Sequence, residues 1–170
     1  MGLLHFAWLG IAVSLLLLAA WRDIASRLIP NSLCLCLAVT GLSVRLLDGP
    51  AALAVSVLAA LALFAALLVA WRFRVLGGGD VKLLAAAACG LPPASVADLL
   101  VLTALCGGAL AFVHLALRRL PRPPTPAPGA SLLRRVCAAE RWRIRRHAPL
   151  PYGVAIAGGG LWTLTKLLGA

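Results

Sequence analysis

The sequence predicts an all-α integral membrane protein of six transmembrane helices with both termini outside, and three observations predict it. The 170-residue chain is 62% hydrophobic and only 12% charged, with a mean hydropathy of +1.00, well outside the range of soluble domains. Its apolar residues gather into runs, and a spanning helix needs about 20 of them. Its basic residues gather between alternate runs, as they do in cytoplasmic loops. Six spans with short connections use nearly all of residues 1–170, which are therefore read as a single polytopic domain.

The first run covers about 3–21. It has the apolar length of a secretory signal, but no positive charge precedes it and Arg22 and Arg27 follow it, so it is read as a retained span. The second run, about 29–47, opens on Pro30 and Asn31, which suit a helix start because proline is tolerated in the first turn. The third covers about 51–71. A shorter run at 81–91 would rise only about 16 Å, half of a hydrocarbon core near 30 Å, and is either re-entrant or part of a longer span. The last two runs cover about 94–117 and 150–168.

Charge decides the short run. If it crosses, Arg22, Arg27, Arg72, Arg74, Lys82 and the nine arginines between 118 and 146 share one face, fourteen of the sixteen basic residues. Only Arg45 and Lys166 fall on the other side. The fourth span is therefore extended back to about residue 75, taking in the glycines Gly77, Gly78 and Gly79. The same sorting places Asp48 and Asp98 in external turns, and Asp23, Asp80 and Glu140 on the cytoplasmic side. The net charge of +11 is assigned to this topology, and no nucleic-acid partner is expected.

The cytoplasmic basic loop, about 118–149, contains five prolines between 121 and 130, too many for a helix and suited to an extended spacer. Ser131 is a plausible N-cap for a helix that places Leu133, Val136, Cys137, Glu140 and Ile144 near one side and arginines elsewhere. Two readings stand. Residues 131–146 form an interfacial helix that holds anionic lipid, or a basic loop that sets topology without a specific partner.

Neither metal nor disulfide chemistry is indicated. Cys34, Cys36, Cys89, Cys106 and Cys137 form no Cys-x-x-Cys pair and mostly lie in apolar runs, and they read as small buried hydrophobes. His5, His114 and His147 show no ligand spacing, and His114 within a run suits an interhelical hydrogen bond. Gly107-Gly108 and Gly158-Gly159-Gly160 suit close helix packing. No metal and no cofactor are expected.

Two aspartates carry the candidate chemistry. An ionisable residue within a span costs about 3 kcal/mol on insertion scales and is a functional candidate by default. Asp80 lies six residues past Arg74, about 9 Å inside the cytoplasmic boundary. Asp23 ends the first run at the same face. Two carboxyl groups at one depth would share a proton, which suits peptide hydrolysis, one activating water and the other protonating the carbonyl oxygen. Side-chain-free backbone at 77–79 would then admit an extended substrate strand. The alternatives remain open: the glycines are a turn with Asp80 as a helix cap, and Asp23 is a surface residue paired with Arg22 or Arg27. Lys82 either favours the ionised form of Asp80 or snorkels.

Three stretches resemble one family. Gly77-Gly78-Gly79-Asp80, continued by Val81-Lys82-Leu83-Leu84, fits the G-x-G-D motif of the type IV prepilin peptidases. The stretch from Asp23 through Arg27 to Ile29-Pro30-Asn31 resembles their other aspartate motif, and Pro151-Tyr152-Gly153-Val154-Ala155-Ile156-Ala157 is also similar to them. The resemblance covers essentially the whole chain and implies a G-x-G-D aspartic protease architecture in a bacterial inner (cytoplasmic) membrane. It implies cleavage of prepilin leaders at the cytoplasmic face, with Asp23 and Asp80 catalytic and Gly77 and Gly79 shaping the cleft. The chain looks closest to the compact branch serving tight-adherence (Flp) pili, with the pilus assembly machinery as a further partner. Longer members carry a methylating domain with paired cysteines; those pairs are missing here, so methyltransferase activity is not expected.

Two rival readings remain. Presenilin-like and signal-peptide-peptidase-like proteases also use G-x-G-D, but their Pro-Ala-Leu motif is missing. A non-catalytic membrane subunit or ion-coupled transporter would need Asp80 alone.

Overall fold

Proline and glycine punctuate the chain where helices begin. Pro50 follows Gly49, whose φ of 114° is open to glycine. Pro93 opens another helix, Pro30 caps a third and Gly77 a fourth. In the computed structural model, which describes residues 2–119, 129, 131–146 and 148–169, the described residues form seven helices and no strand. These are α1 (Leu3–Ser26), α2 (Asn31–Leu47), α3 (Pro50–Arg72), α4 (Gly78–Cys89), α5 (Pro93–Arg118), α6 (Leu132–Arg145) and α7 (Tyr152–Gly169). The expected proline spacer lies outside the described residues apart from Gly129, and so does His147.

Helices α1, α3 and α5 are long and apolar enough to cross a membrane. Their outward faces match that length: Leu58, Leu61, Leu105 and Phe112 are each more than half exposed, a surface that bilayer rather than water would cover. Helix α2 is shorter, at 17 residues.

The fourth span differs from its expectation. Residues 73–76 form turns, Arg74 adopts a φ of 59°, and α4 starts only at Gly78 and runs for 12 residues. Three consecutive glycines are poor helix formers, and the left-handed Arg74 has already ended α3. At about 1.5 Å per residue α4 rises about 18 Å. Being short is tolerable because it is enclosed: Val81, Leu83, Leu84, Ala86, Ala87 and Ala88 are buried against the neighbouring helices. Helix α1, conversely, runs past the apolar run to Ser26 and carries Asp23 in its final turns.

Contacts sort the ends of the helices. At one end His5 meets Asp48 at 2.8 Å, the buried Ser56 hydroxyl donates to the Leu91 carbonyl at 3.1 Å and accepts from Arg45, and Lys166 meets Asp98 at 3.2 Å. The other end gathers Asp23, Arg27, Asn31, Asp80, Lys82 and the whole of α6. Helices α5 and α7 make the closest seam. A Cβ on Gly159 would lie 2.5 Å from the Thr103 backbone nitrogen, and one on Gly107 would lie 3.0 Å from the Tyr152 ring. The packing expected of these glycines is present, although Gly108 faces open space. The cysteines are free; Cys34 is buried, but Cys36 and Cys137 are exposed, contrary to their reading as buried hydrophobes.

Helix α6 starts after Ser131, which makes no side-chain cap. Its inner side presents buried Ile144 with partly buried Val136 and Glu140, whereas Leu133 and Cys137 are exposed. The stripe is narrower than expected and includes the carboxylate.

Candidate active site

Asp23 is 7% exposed, which overturns its reading as a surface residue. Its Oδ2 accepts a 2.8 Å hydrogen bond from the backbone N–H of Gly153, the second residue of α7. Prolines 149 and 151 keep the preceding segment out of helical conformation, so α7 begins at Tyr152 and its first N–H groups have no helical partner. A buried carboxylate completes that helix end and meets the positive pole of its dipole. The fit is close: a Cβ on Gly153 would stand 3.0 Å from both Cβ and Oδ2 of Asp23.

Asp80 also sits at a helix start. It is the third residue of α4, partly buried, and its carboxylate lies beside the backbone of Gly77, the N-cap. A Cβ on Gly77 would lie 2.8 Å from Asp80 Oδ2. The bare backbone thus serves the aspartate first. At Gly78 and Gly79 the space beside the chain is taken by Trp71 and Ile29, at 3.4 and 3.5 Å from the would-be Cβ atoms.

The two carboxyl groups stand within electrostatic reach of each other, and the Arg27 charge reaches both. Tyr152, beside Gly153, senses the Asp80 charge. The C-terminal end of α1 therefore meets the N-terminal ends of α4 and α7, with Asp23 on the Gly153 N–H and Asp80 beside Gly77. Two carboxyl groups in such reach of each other are the kind of pair that general acid and base catalysis employs.

The supporting residues divide. Arg27 sits at the C-cap of α1 in a left-handed conformation, φ 57°, with its N–H on the Asp23 carbonyl at 2.9 Å. Its guanidinium donates to the Pro149 carbonyl at 2.6 Å and to Glu140 Oε1. Lys82 donates to Asn31 Oδ1 at 3.1 Å. Pro30 is the N-cap of α2 and Asn31 its first residue. Asn31 and Lys82 stand at the end of an apolar groove of about 540 Å³ between α2, α3 and α4, lined by Leu35, Ala60, Phe64 and Cys89 among others.

Sequence reasoning missed Glu140 and Arg143. Glu140 accepts from Arg27, lies 3.5 Å from Arg143 and 3.4 Å from His114 Nε2, the last being the interhelical contact expected of His114. Arg143 donates to the Ile24 carbonyl at 2.6 Å and the Ala25 carbonyl at 3.2 Å. The available signal was a single acid among nine arginines. Among the described residues no three His, Cys, Asp or Glu side chains converge as metal ligands.

A family model described as the type IV leader peptidase family matches residues 10–112, which include both aspartates. Two proteins of Burkholderia pseudomallei, from strains 1026b and K96243, each called prepilin leader peptidase/N-methyltransferase, are 30% identical to the chain over 162 residues. The alignments cover 91% of this chain and 44% of each relative, so the chain spans less than half the length of the curated relatives it matches. No solved structure matches it.

Proposed function

Because the chain belongs to the type IV leader peptidase family, we propose that it is an aspartic endopeptidase that removes the leader of prepilins at the cytoplasmic face of a bacterial inner membrane. The observation that carries this reading is the convergence of Asp23 and Asp80 at one end of the helices, Asp23 on the Gly153 N–H and Asp80 beside Gly77. Asp23 and Asp80 are its catalytic residues. One carboxylate takes a proton from water as the oxygen attacks the scissile carbonyl, while the other, protonated, donates to the carbonyl oxygen. The tetrahedral intermediate then collapses, the C–N bond breaks and a carboxyl proton passes to the leaving amine. The shared proton belongs to the pair.

Gly153 is the orienting donor to Asp23, Gly77 leaves room for the Asp80 carboxylate, Gly78 and Gly79 let α4 start close to Trp71 and Ile29, and Arg27, Pro30, Asn31 and Lys82 shape the cytoplasmic approach. We read α1 to α5 and α7 as six spans with external termini and 1–170 as one domain. The supporting asymmetry is electrostatic: fourteen of sixteen basic residues, including α6, then share the aspartates' face. A basic leader would meet that face while the apolar helix behind it stays in the bilayer. Helix α6 also suits anionic lipid, because Arg134, Arg135 and Arg146 are exposed beside Trp142, over which Arg146 stacks at 4.3 Å.

The Flp prepilins and their assembly machinery are the substrate and partner class proposed. The proposal is confined to peptide hydrolysis, since these 170 residues hold no Cys-x-x-Cys pair. Mass analysis of a cleaved prepilin tests it. The cut is expected just before the substrate's apolar helix; a cut inside that helix contradicts the assignment and favours the presenilin-like one.

A further inference from the structure

Resting on the two-aspartate reading, we propose that Glu140 is a positioning residue: it holds Arg27 and Arg143 as a clasp that fixes the Asp23 end of α1. The Glu140 side chain is 14% exposed and is the only acid in residues 118–149. Its Oε1 accepts from Arg27, and its Oε2 lies 3.5 Å from Arg143 Nη1.

Both arginines then reach backbone around Asp23. Arg143 binds the carbonyls of Ile24 and Ala25, which a helix end leaves without partners. Arg27 binds the carbonyl of Pro149, four residues before the Gly153 that holds the Asp23 carboxylate. The clasp therefore ties the α1 backbone on one side of the Asp23–Gly153 hydrogen bond and the approach to α7 on the other. Arg27 holds a left-handed conformation that a non-glycine residue keeps only when its surroundings impose it. Without the carboxylate, the two half-buried guanidinium groups would keep only neutral backbone partners. Both would swing toward water, and the last turn of α1 would fray.

The test compares wild type with Glu140→Gln, Glu140→Asp and Arg143→Gln in detergent micelles, using a prepilin from the same organism, with Asp23→Asn alongside. A displacement of about 1 Å at a reacting group can cost about a hundredfold, so Glu140→Gln is expected to lower kcat at least about tenfold, with KM within about twofold. Glu140→Asp, which keeps the charge, is expected to recover part of that loss. Limited trypsin digestion reads the clasp itself, and the arginines of 134–146 are expected to be cut faster in Glu140→Gln. If Glu140→Gln does not accumulate, Arg143→Gln is expected to show the same kcat loss at unchanged KM. Unchanged kcat in both variants, or a raised KM with kcat kept, overturns the proposal. Retained cleavage by Asp23→Asn overturns the two-aspartate reading instead, and the trypsin result then judges the clasp alone: unchanged protection removes it.

Discussion

The backbone N–H of Gly153 donates to Asp23 Oδ2 at 2.8 Å across 130 residues of sequence. The bond joins the end of the first helix to the start of the last, so a chain closed in this way carries its buried acid where its two termini-bearing helices meet. Replacing Gly153 by alanine would put a methyl 3.0 Å from Asp23 Cβ and Oδ2, tighter than ordinary contact. We expect Gly153→Ala to cut prepilin cleavage by about ten- to a hundredfold, while membrane levels, followed by immunoblot, stay near wild type.

Gly77 makes the matching prediction at the other aspartate. A Cβ there would lie 2.8 Å from Asp80 Oδ2, and the group that must move is the free end of a side chain rather than backbone. Gly77→Ala should therefore fold normally yet lose cleavage by about tenfold or more. Gly108→Ala, where nothing lies within 4 Å, is the control and should cleave at the wild-type rate.

The α5–α7 seam behaves differently. At Gly159 the obstruction is the Thr103 backbone at 2.5 Å, which cannot rotate aside. Gly159→Ala is expected to destabilise by about 1–3 kcal/mol, visible as a lower midpoint in thermal unfolding in detergent. An unchanged midpoint would mean that the two helices are not packed this closely.

Lys82 offers a test of electrostatics. Its amine donates to Asn31, and this exposed contact is worth little. Lys82→Gln should change cleavage by less than about threefold; a large loss would return the lysine to the aspartates.

Sidedness can be read with the native thiol on α6. Cys137 is exposed and belongs with the basic face. An impermeant maleimide should label it only after the cells are opened, whereas cysteines placed at Asp48 and Asp98 should react in intact cells. The reverse pattern would invert the topology.

Much of this was legible in the sequence. Apolar runs bounded by Pro30, Pro50 and Pro93 located helices to within a few residues, because proline and glycine act locally. The fourth helix was not, since span arithmetic assumes that each helix must bridge the bilayer, whereas α4 is enclosed by its neighbours and ends its need for length there. The aspartates were found because a carboxylate in an apolar run is costly. Their surroundings were hidden for a physical reason. Nearest in sequence to Asp23 are Arg22 and Arg27, which suggest a surface pair, but the helix end sends the Arg27 side chain to Glu140, 113 residues away. The glycines were read as room for a substrate; in the structure their would-be Cβ atoms meet Asp80, Trp71 and Ile29.

The most direct measurement of the central claim is cleavage of a co-expressed prepilin by wild type, Asp23→Asn, Asp80→Asn and the double variant, at matched membrane levels. The account predicts that each single substitution abolishes cleavage and that the double is scarcely worse, because the pair acts as one unit. Cleavage retained in Asp23→Asn would contradict it and leave Asp80 as a lone membrane carboxylate, the signature of a transporter or a scaffold.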